Sequence, residues 1–250
     1  MYINTTGIVL RETAYKESSK ILTVLTADEG KLTVTARGAV RKNSKLAAAT
    51  QLLVFSEMTL FMNRDRWTLT EARSIEQFRG LQYDVEKLAL GSYFAQLTEA
   101  AADEDSPNPA LMSLCLNALY ALSEDIKPPL LVKPAFELRL MALAGYAPML
   151  SHCAICGCVE PEFSVLDFEG GTLSCTDCAR TDGLRLSLGA LHAARYIISC
   201  DAKKLFSFKI DDKALRELYS VTEEYVLAQF DRKFRTLEFY RTLKDGYGFN

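Results

Sequence analysis

Two pairs of cysteines constrain this chain most, because their spacing suits a four-coordinate metal site. Cys153 and Cys156 form the first pair, Cys175 and Cys178 form the second, and eighteen residues separate the pairs. Each C-x2-C turn directs two thiolates to one point, and this spacing lies in the range of structural zinc sites. Four thiolates leave no open coordination position, so the sequence predicts one structural Zn²⁺ ion and not a catalytic one.

The residues between the two pairs predict a zinc-ribbon hairpin. Residues 163–173 contain a β-forming segment followed by a Glu-Gly-Gly turn. The few apolar residues of this segment could hardly stabilise a hairpin by themselves. Metal binding would therefore supply folding energy. Two other interpretations stay open for the thiols, a redox pair and metal-free buried cysteines. Cys158 or His152, which flank the first pair, could also replace a ligand.

Cysteine usage also bears on the compartment. The chain has 250 residues and seven cysteines, an odd number in a protein too large to need disulfide bonds, which is typical of a reducing environment. No apolar run approaches the ~20 residues that span a bilayer, and the N-terminus lacks the basic region and cleavage site of a signal peptide. We therefore expect a cytoplasmic protein with no membrane partner.

Charge is distributed unevenly along the chain. The net charge is −3, but residues 1–80 carry 12 basic and 8 acidic side chains, whereas residues 81–250 carry 17 and 24. A cationic part joined to an anionic remainder is expected when one part of a protein contacts a polyanion. The alternative is that these lysines and arginines only solvate strand edges.

The N-terminal part predicts a small barrel. Five segments are rich in β-forming residues and show no helical period, and residues 27–30 supply a hairpin turn that ends in glycine. Five strands in so short a stretch suit a closed oligonucleotide-binding (OB) barrel. The predicted strands lie within residues 7–13, 21–26, 31–36, 52–62 and 67–72.

The connection between the third and fourth strands is the most basic stretch of the protein. Residues 37–45 hold four basic side chains and no acidic one. A flexible basic loop suits phosphate contacts, which need charge and reach but little fixed geometry. Aromatic residues of the barrel could stack bases, although each taken singly suits the barrel core better. These aromatic residues are Tyr2, Tyr15, Phe55, Phe61 and Trp67.

Helical periodicity dominates the rest of the chain. Between Leu81 and Ala102 apolar residues form two opposite stripes, which predicts a helix buried from both sides. Ser106 before Pro107 predicts the N-cap of the next helix. One stripe comprises Val85, Leu88, Ala89 and Ser92, and the other comprises Leu90, Phe94, Leu97 and Ala101.

These patterns predict an α+β multidomain protein. An N-terminal five-stranded OB-fold barrel would occupy residues 1–80. An α-helical domain would comprise residues 81–148 and 184–250, with the four-cysteine zinc ribbon inserted at residues 149–183.

Catalytic motifs are missing from the sequence. It contains two histidines and neither a Walker A motif nor a G-x-G-x-x-G motif. The sequence therefore offers little material for His-dependent nucleophilic catalysis and excludes the usual nucleotide-driven motors. Two rival functions remain: a zinc-ribbon module for RNA binding or transcription, and a metallo-hydrolase, which would need an open metal position and a general base.

The order of parts and several motifs resemble a known family. The most specific match runs from Phe-Glu-Leu-Arg-Leu at 136–140 through Gly-Tyr-Ala-Pro at 145–148 to Cys-Ala-Ile-Cys-Gly at 153–157. Over essentially its whole length the chain resembles the RecO family of bacterial recombination mediators. In the predicted barrel, the stretches that resemble the family are residues 7–11, 30–31 and 36–39, together with Arg41, Lys42 and Ser44.

The resemblance implies a DNA-repair protein without catalytic activity. Such a protein would bind single- and double-stranded DNA and anneal complementary strands, including strands coated by single-strand binding protein. Its partners would be RecR, the C-terminal tail of single-strand binding protein and, indirectly, RecF and RecA, so it would associate with the nucleoid. Zinc would be held by the four cysteines of the C-x2-C pairs. DNA contacts would fall on Arg11, Lys16, Lys20, Lys31, Arg37, Arg41, Lys42, Lys45, Arg64 and Arg66.

Overall fold

The chain divides into two compact units. In the computed structural model, which describes residues 1–179 and 183–246, the first unit is Met1–Glu124 with the C-terminal segment from Phe234. The second unit is Asp125–Lys233. The domain limits drawn from the sequence stay a prediction, because compactness alone does not show which segments fold independently.

Five strands form a closed barrel in the first unit. The strand order is β1-β2-β3-β5-β4, and β4 pairs with β1 to complete the circle. All neighbours are antiparallel except β3 and β5. This is the OB fold that the sequence predicts. The strands are β1 (Tyr2–Tyr15), β2 (Ser19–Thr26), β3 (Gly30–Ala36), β4 (Phe55–Asn63) and β5 (Arg66–Glu76).

The barrel interior is filled by alternate residues of all five strands. Because side chains along a strand point to opposite faces, every second residue reaches the core. Trp67 belongs to this core and is 7% exposed. The strand contributions are Val9 from β1, Leu22 and Val24 from β2, Leu32 and Val34 from β3, Met58 and Leu60 from β4, and Trp67 and Leu69 from β5.

The hairpin turn between β2 and β3 requires its glycine. Gly30 has a φ of +72°, in the left-handed region that a glycine adopts without strain. A Cβ atom at this position would also lie 2.5 Å from the backbone nitrogen of Ser106. The turn predicted at residues 27–30 is confirmed, and both its geometry and its close neighbour exclude a side chain.

In the part of the first unit that the structure describes, four helices accompany the barrel. They are α1 (Arg79–Gln82), α2 (Val85–Ala101), α3 (Pro109–Ser123) and α7 (Arg235–Gly246). Asp84 caps α2 by accepting hydrogen bonds from the backbone N–H groups of Glu86 and Lys87. Among the helices of the described residues, none is long and apolar enough to cross a membrane.

The predicted start of α3 is wrong by two residues. Asn108, and not Ser106, is the N-cap, and its side chain accepts a hydrogen bond from Leu111 N–H. The cause lies upstream, where the N–H of Lys31 in β3 donates to the carbonyl of Asp103 at 3.2 Å. This pairing holds the chain extended beside β3, so the helix begins only at the second Asx/Ser-Pro step.

Burial of α2 from both sides is confirmed only in part. Leu90, Phe94 and Leu97 are buried, but Val85 is 49% exposed and Leu88 is 37% exposed. Helices α3 and α7 pack against α2, and Phe234 stands edge-on to Tyr93 with ring centroids 6.0 Å apart. The stripe that contains Val85 and Leu88 is therefore partly exposed to solvent at the start of α2. Periodicity alone does not show which part of an apolar stripe is covered.

Over its described residues, the second unit combines three α-helices and one 3₁₀ turn (Ala202–Lys204) with a small sheet. The helices are α4 (Pro129–Leu143), α5 (Leu188–Ser199) and α6 (Asp212–Phe230). The sheet has the order β7-β6-β8 and is antiparallel. The β6–β7 hairpin is the predicted ribbon, whereas β8 is too short to give a sequence signal. The strands are β6 (Phe163–Leu166), β7 (Leu173–Cys175) and β8 (Arg185–Ser187).

A buried ion network joins α4 to α6. The Lys133 Nζ lies 2.7 Å from Glu137 Oε1 and 2.7 Å from Glu223 Oε2, and all three residues are buried. Thr222 donates a hydrogen bond of 2.8 Å to Glu137 Oε2, and the Lys133 ammonium lies 4.0 Å from the centre of the Tyr219 ring. Burial raises the pKa of Glu137 despite the attraction of Lys133. Such a network holds the two helices in one register, because sliding one past the other would separate buried charges that water cannot reach.

We expect Lys133→Met to lower the free energy of unfolding by about 3–5 kcal/mol, because it removes the ammonium group that lies 2.7 Å from two buried carboxylates. Chemical denaturation followed by circular dichroism measures the loss. Lys213→Met is the matched control, since Lys213 is an exposed lysine of α6. Equal stability of the two variants would contradict the assigned role of the network.

Candidate nucleic-acid interface and metal centre

The four predicted cysteine ligands meet at one place in the second unit. Their sulfur atoms all lie within 4.8 Å of one another, and the Sγ atoms of Cys156 and Cys175 are 3.7 Å apart. Cys153 and Cys156 lie before β6, Cys175 ends β7 and Cys178 lies in the turn that follows. The local fold thus brings two short-range pairs into a single cluster.

Both C-x2-C turns are built in the same way. The Gly157 N–H donates to the Cys153 carbonyl at 2.9 Å, and the Ala179 N–H donates to the Cys175 carbonyl at 2.9 Å. Gly157 has a φ of +75°, which lets the chain leave the first turn without strain. These bonds close each turn so that both of its sulfur atoms point to the same side.

The thiols of the cluster perturb one another. Backbone N–H groups of Cys156 and Cys175 lower the pKa of the Cys153 thiol to about 6. In contrast, hydrogen bonding with Cys175 and Cys156 raises the pKa of Cys178 to about 12. Four sulfurs so close together cannot all be ionised unless a cation compensates them. A soft donor set of four sulfurs suits the tetrahedral coordination that Zn²⁺ takes in structural sites.

His152 and Cys158 lie outside the metal cluster. Within residues 1–179 and 183–246, the group of potential ligands around this site contains only the four cysteines of the two pairs. His152 is exposed, and its Nδ1 lies 2.8 Å from the Ser151 hydroxyl. Cys158 is also exposed and contributes its backbone carbonyl to the Cys153 N–H at 2.8 Å.

Most of the predicted DNA-contact residues lie in the loops of the barrel. The side chains of seven exposed basic residues form no hydrogen bond or ion pair within the described part of the chain. The β1–β2 turn adjoins the β3–β4 connection, because the Val40 N–H donates to the Ser18 carbonyl at 3.1 Å. The seven are Lys16 in the β1–β2 turn, Arg37, Arg41, Lys42 and Lys45 in the β3–β4 connection, and Arg64 and Arg66 at the β4–β5 turn.

Three other predicted DNA-contact residues are held by neighbours. Arg11 forms an ion pair with Glu99 of α2 at 3.0 Å, and Lys31 donates to the Glu99 carbonyl at 3.1 Å. Lys20 pairs with Glu12. Helix α2 therefore binds basic residues on the outer side of β1 and β3 through Glu99. The loop cations form no such contact within the described residues.

One groove of the barrel carries the opposite charge. It has a volume of about 670 Å³ and lies on the outer face of β1, β4 and β5. Its lining includes the carboxylates of Asp28, Glu57 and Glu71 and a single basic residue, Arg73, which pairs with Glu57 at 2.9 Å. Phosphates would be repelled from this groove, so its volume alone does not indicate a DNA-binding site.

The barrel and the cysteine cluster together define a protein that combines an OB fold with a four-cysteine metal centre. Comparison with protein-family models agrees with this class. The model for the N-terminal part of recombination protein O matches residues 1–78, and the model for its C-terminal part matches residues 82–238. The chain therefore belongs to the recombination protein O (RecO) family of DNA repair proteins, which confirms the resemblance found in the sequence.

Individual relatives cover nearly the whole chain. It is 34% identical to the DNA repair protein RecO of Acetivibrio thermocellus over 97% of both chains. Identity to the DNA repair protein RecO of Symbiobacterium thermophilum is 33%, over 96% of this chain and 97% of the relative. For the protein of the same name from Listeria monocytogenes serotype 4b it is 35%, over 73% of this chain and 71% of the relative.

We expect Cys153→Ser and Cys175→Ser each to reduce bound metal strongly, because each removes one of four sulfur ligands from a closed site. Elemental analysis of purified protein measures this loss, and thermal unfolding should show that the ribbon is destabilised as well. Cys158→Ser and Cys200→Ser serve as controls that keep the metal. Retention of metal by the first two variants would refute the assigned ligand set.

Proposed function

We propose that this protein is a recombination mediator that binds single- and double-stranded DNA and anneals complementary strands without catalysing a covalent reaction. The observation that carries the proposal is the set of seven exposed cations, in the loops of the OB barrel and at the start of β5, whose side chains form no ion pair within the described residues. Membership of the RecO family supports the same function. Phosphate contacts from flexible side chains are largely independent of base sequence, as annealing of arbitrary strands requires.

Charge neutralisation explains how such a surface would promote annealing. Two DNA strands repel each other through their phosphates, and cations that screen both strands lower the barrier to pairing. The step needs neither a nucleotide cofactor nor a nucleophile. The acidic remainder of the chain, residues 81–250, would limit indiscriminate coating of DNA and leave surface for protein partners.

The protein partners are inferred from the family. We propose that the chain recognises the C-terminal tail of single-strand binding protein, acts with RecR and RecF, and so helps to load RecA on coated single strands. This role would place the protein in the cytoplasm, at the nucleoid. No small-molecule substrate and no membrane contact are part of the proposal.

We further propose that the metal is one structural Zn²⁺ ion. The four cysteines of the C-x2-C pairs would hold it, and their mutual proximity supports a site without an open position. Zinc would then supply folding energy to a ribbon whose sheet strands are only three or four residues long.

The combined substitution of Arg37, Arg41 and Lys42 by alanine should slow annealing of complementary oligonucleotides, both naked and coated with single-strand binding protein. Each lost phosphate contact should reduce the slope of log affinity against log salt by about 0.7 on single strands. Annealing is followed by the fluorescence of labelled strands across a salt series.

A variant with the same loss of charge elsewhere is the control. Lys203, Lys204 and Lys213 are exposed in the second unit, and their replacement by alanine should leave annealing unchanged. Equal effects of the two triple variants would exclude a specific role of the barrel loop. Failure of the wild-type protein to anneal at any salt concentration, with metal bound, would refute the mediator function.

A further inference from the structure

An exposed pair of aromatic rings lies at one end of the barrel. Tyr2 of β1 and Phe61 of β4 are paired residues on adjacent strands, and their ring centroids are 4.6 Å apart at an interplanar angle of 38°. Tyr2 is nevertheless 67% exposed, whereas Trp67 of the same barrel is 7% exposed. The Tyr2 ring thus packs at a tilt against Phe61 while most of its own surface stays in contact with water.

The pair lies on the outer face of the barrel beside an arginine. Phe61 is opposite Thr68 of β5, so Tyr2, Phe61 and Thr68 form one row across three strands. Arg66 precedes Thr68 by two residues and therefore projects from the same face, diagonal to Phe61. At this diagonal position a long side chain such as that of Arg66 is within reach of the aromatic pair.

Further positive charge surrounds this end of the barrel. Arg64 lies in the adjoining β4–β5 turn, is exposed and has no ion pair within the described residues. The ammonium group of Met1 is fixed nearby, since it donates to the Met62 carbonyl at 3.3 Å while the Met62 N–H donates to the Met1 carbonyl at 2.9 Å. The turn contains one carboxylate, Asp65, against these three cations.

The same face changes character farther along the strands. Asn4 and Thr59 follow the aromatic pair and bond to each other at 2.8 Å, and the acid-lined groove with Glu57 and Glu71 begins there. A polyanion would therefore be attracted to the aromatic end and repelled from the groove. This polarity distinguishes the aromatic end from an uncharged apolar patch.

We propose that Tyr2, supported by Phe61, is a stacking platform for an unpaired base of single-stranded DNA, and that Arg64 and Arg66 hold the adjoining phosphates. The inference rests on the proposed function and deepens it, because it assigns a base contact in addition to the phosphate contacts of the loops. An exposed aromatic face flanked by arginines is the combination with which sequence-tolerant single-strand binders hold bases. In a duplex the bases are stacked on each other, so the platform discriminates single strands from double strands.

Tyr2→Ala should weaken binding of a thymidine oligonucleotide roughly 5- to 100-fold, the effect of losing one base stacked on an aromatic ring. Tyr2→Phe should retain wild-type affinity, and Tyr83→Ala, which removes a tyrosine that is 87% exposed, is the matched control. Fluorescence anisotropy is measured with three ligands: the oligonucleotide, an abasic strand of the same length and a duplex. The effect of Tyr2→Ala should appear only with the first, and the salt dependence should not change, because stacking releases no counterions.

The protein is used without an added N-terminal tag, which would lie next to the aromatic pair. The fluorescence of the single tryptophan, Trp67 in the barrel core, shows whether each variant keeps a folded barrel. Unchanged affinity of Tyr2→Ala for the oligonucleotide, or equal losses on the abasic strand or the duplex, would overturn the proposal. If the variant lacking Arg37, Arg41 and Lys42 loses binding while Tyr2→Ala does not, only the stacking platform is refuted. Absence of binding by the wild-type protein would refute the proposed function and the platform together.

Discussion

Closure of the barrel depends on a short parallel contact between β3 and β5. Only Val34 with Trp67 and Thr35 with Thr68 are paired across this seam, whereas every other seam is a longer antiparallel ladder. Trp67 strengthens the seam because it is both a pairing residue and a large member of the core. The seam also determines where charge is displayed, since β5 leaves the β4–β5 turn directly beside β3. The arginines of that turn and the basic β3–β4 connection are thereby attached to the same pair of strands.

The elements that the sequence predicts correctly are those with local causes. Alternating apolar residues establish the five strands, and the Cys-x-x-Cys turns form through hydrogen bonds within five residues, as from Gly157 to Cys153. The features that it misses depend on distant partners. Helix α3 starts late because Asp103 bonds to β3, and the network around Lys133 depends on Glu223 in another helix. No periodicity within a segment contains that information.

The two candidate sites differ in the same respect. Metal ligands must converge on one point, so their spacing in the chain already predicts which residues meet. Phosphate contacts have no such requirement, and the sequence could only collect basic residues of the barrel. The structure separates them, because Arg11 and Lys31 are engaged by Glu99 while the loop cations are not. Stacking residues are harder still to recognise, since Tyr2 and Trp67 are both aromatic residues of strands and differ only in which face of the barrel they occupy.

The position of α7 in the chain has a consequence for synthesis. This C-terminal helix packs against α2, and the side chain of Gln96 accepts hydrogen bonds from the backbone N–H and the hydroxyl of Thr236, 140 residues later. The whole of the second unit is therefore translated between two segments of the first. At about 5–20 residues per second, synthesis of the 140 residues between Gln96 and Thr236 takes roughly 7–28 s. Helix α2 lacks its contact with α7 for that time. During that interval Tyr93 lacks its ring contact with Phe234, the residue just before α7. The first unit is therefore the later of the two to be completed on a nascent chain.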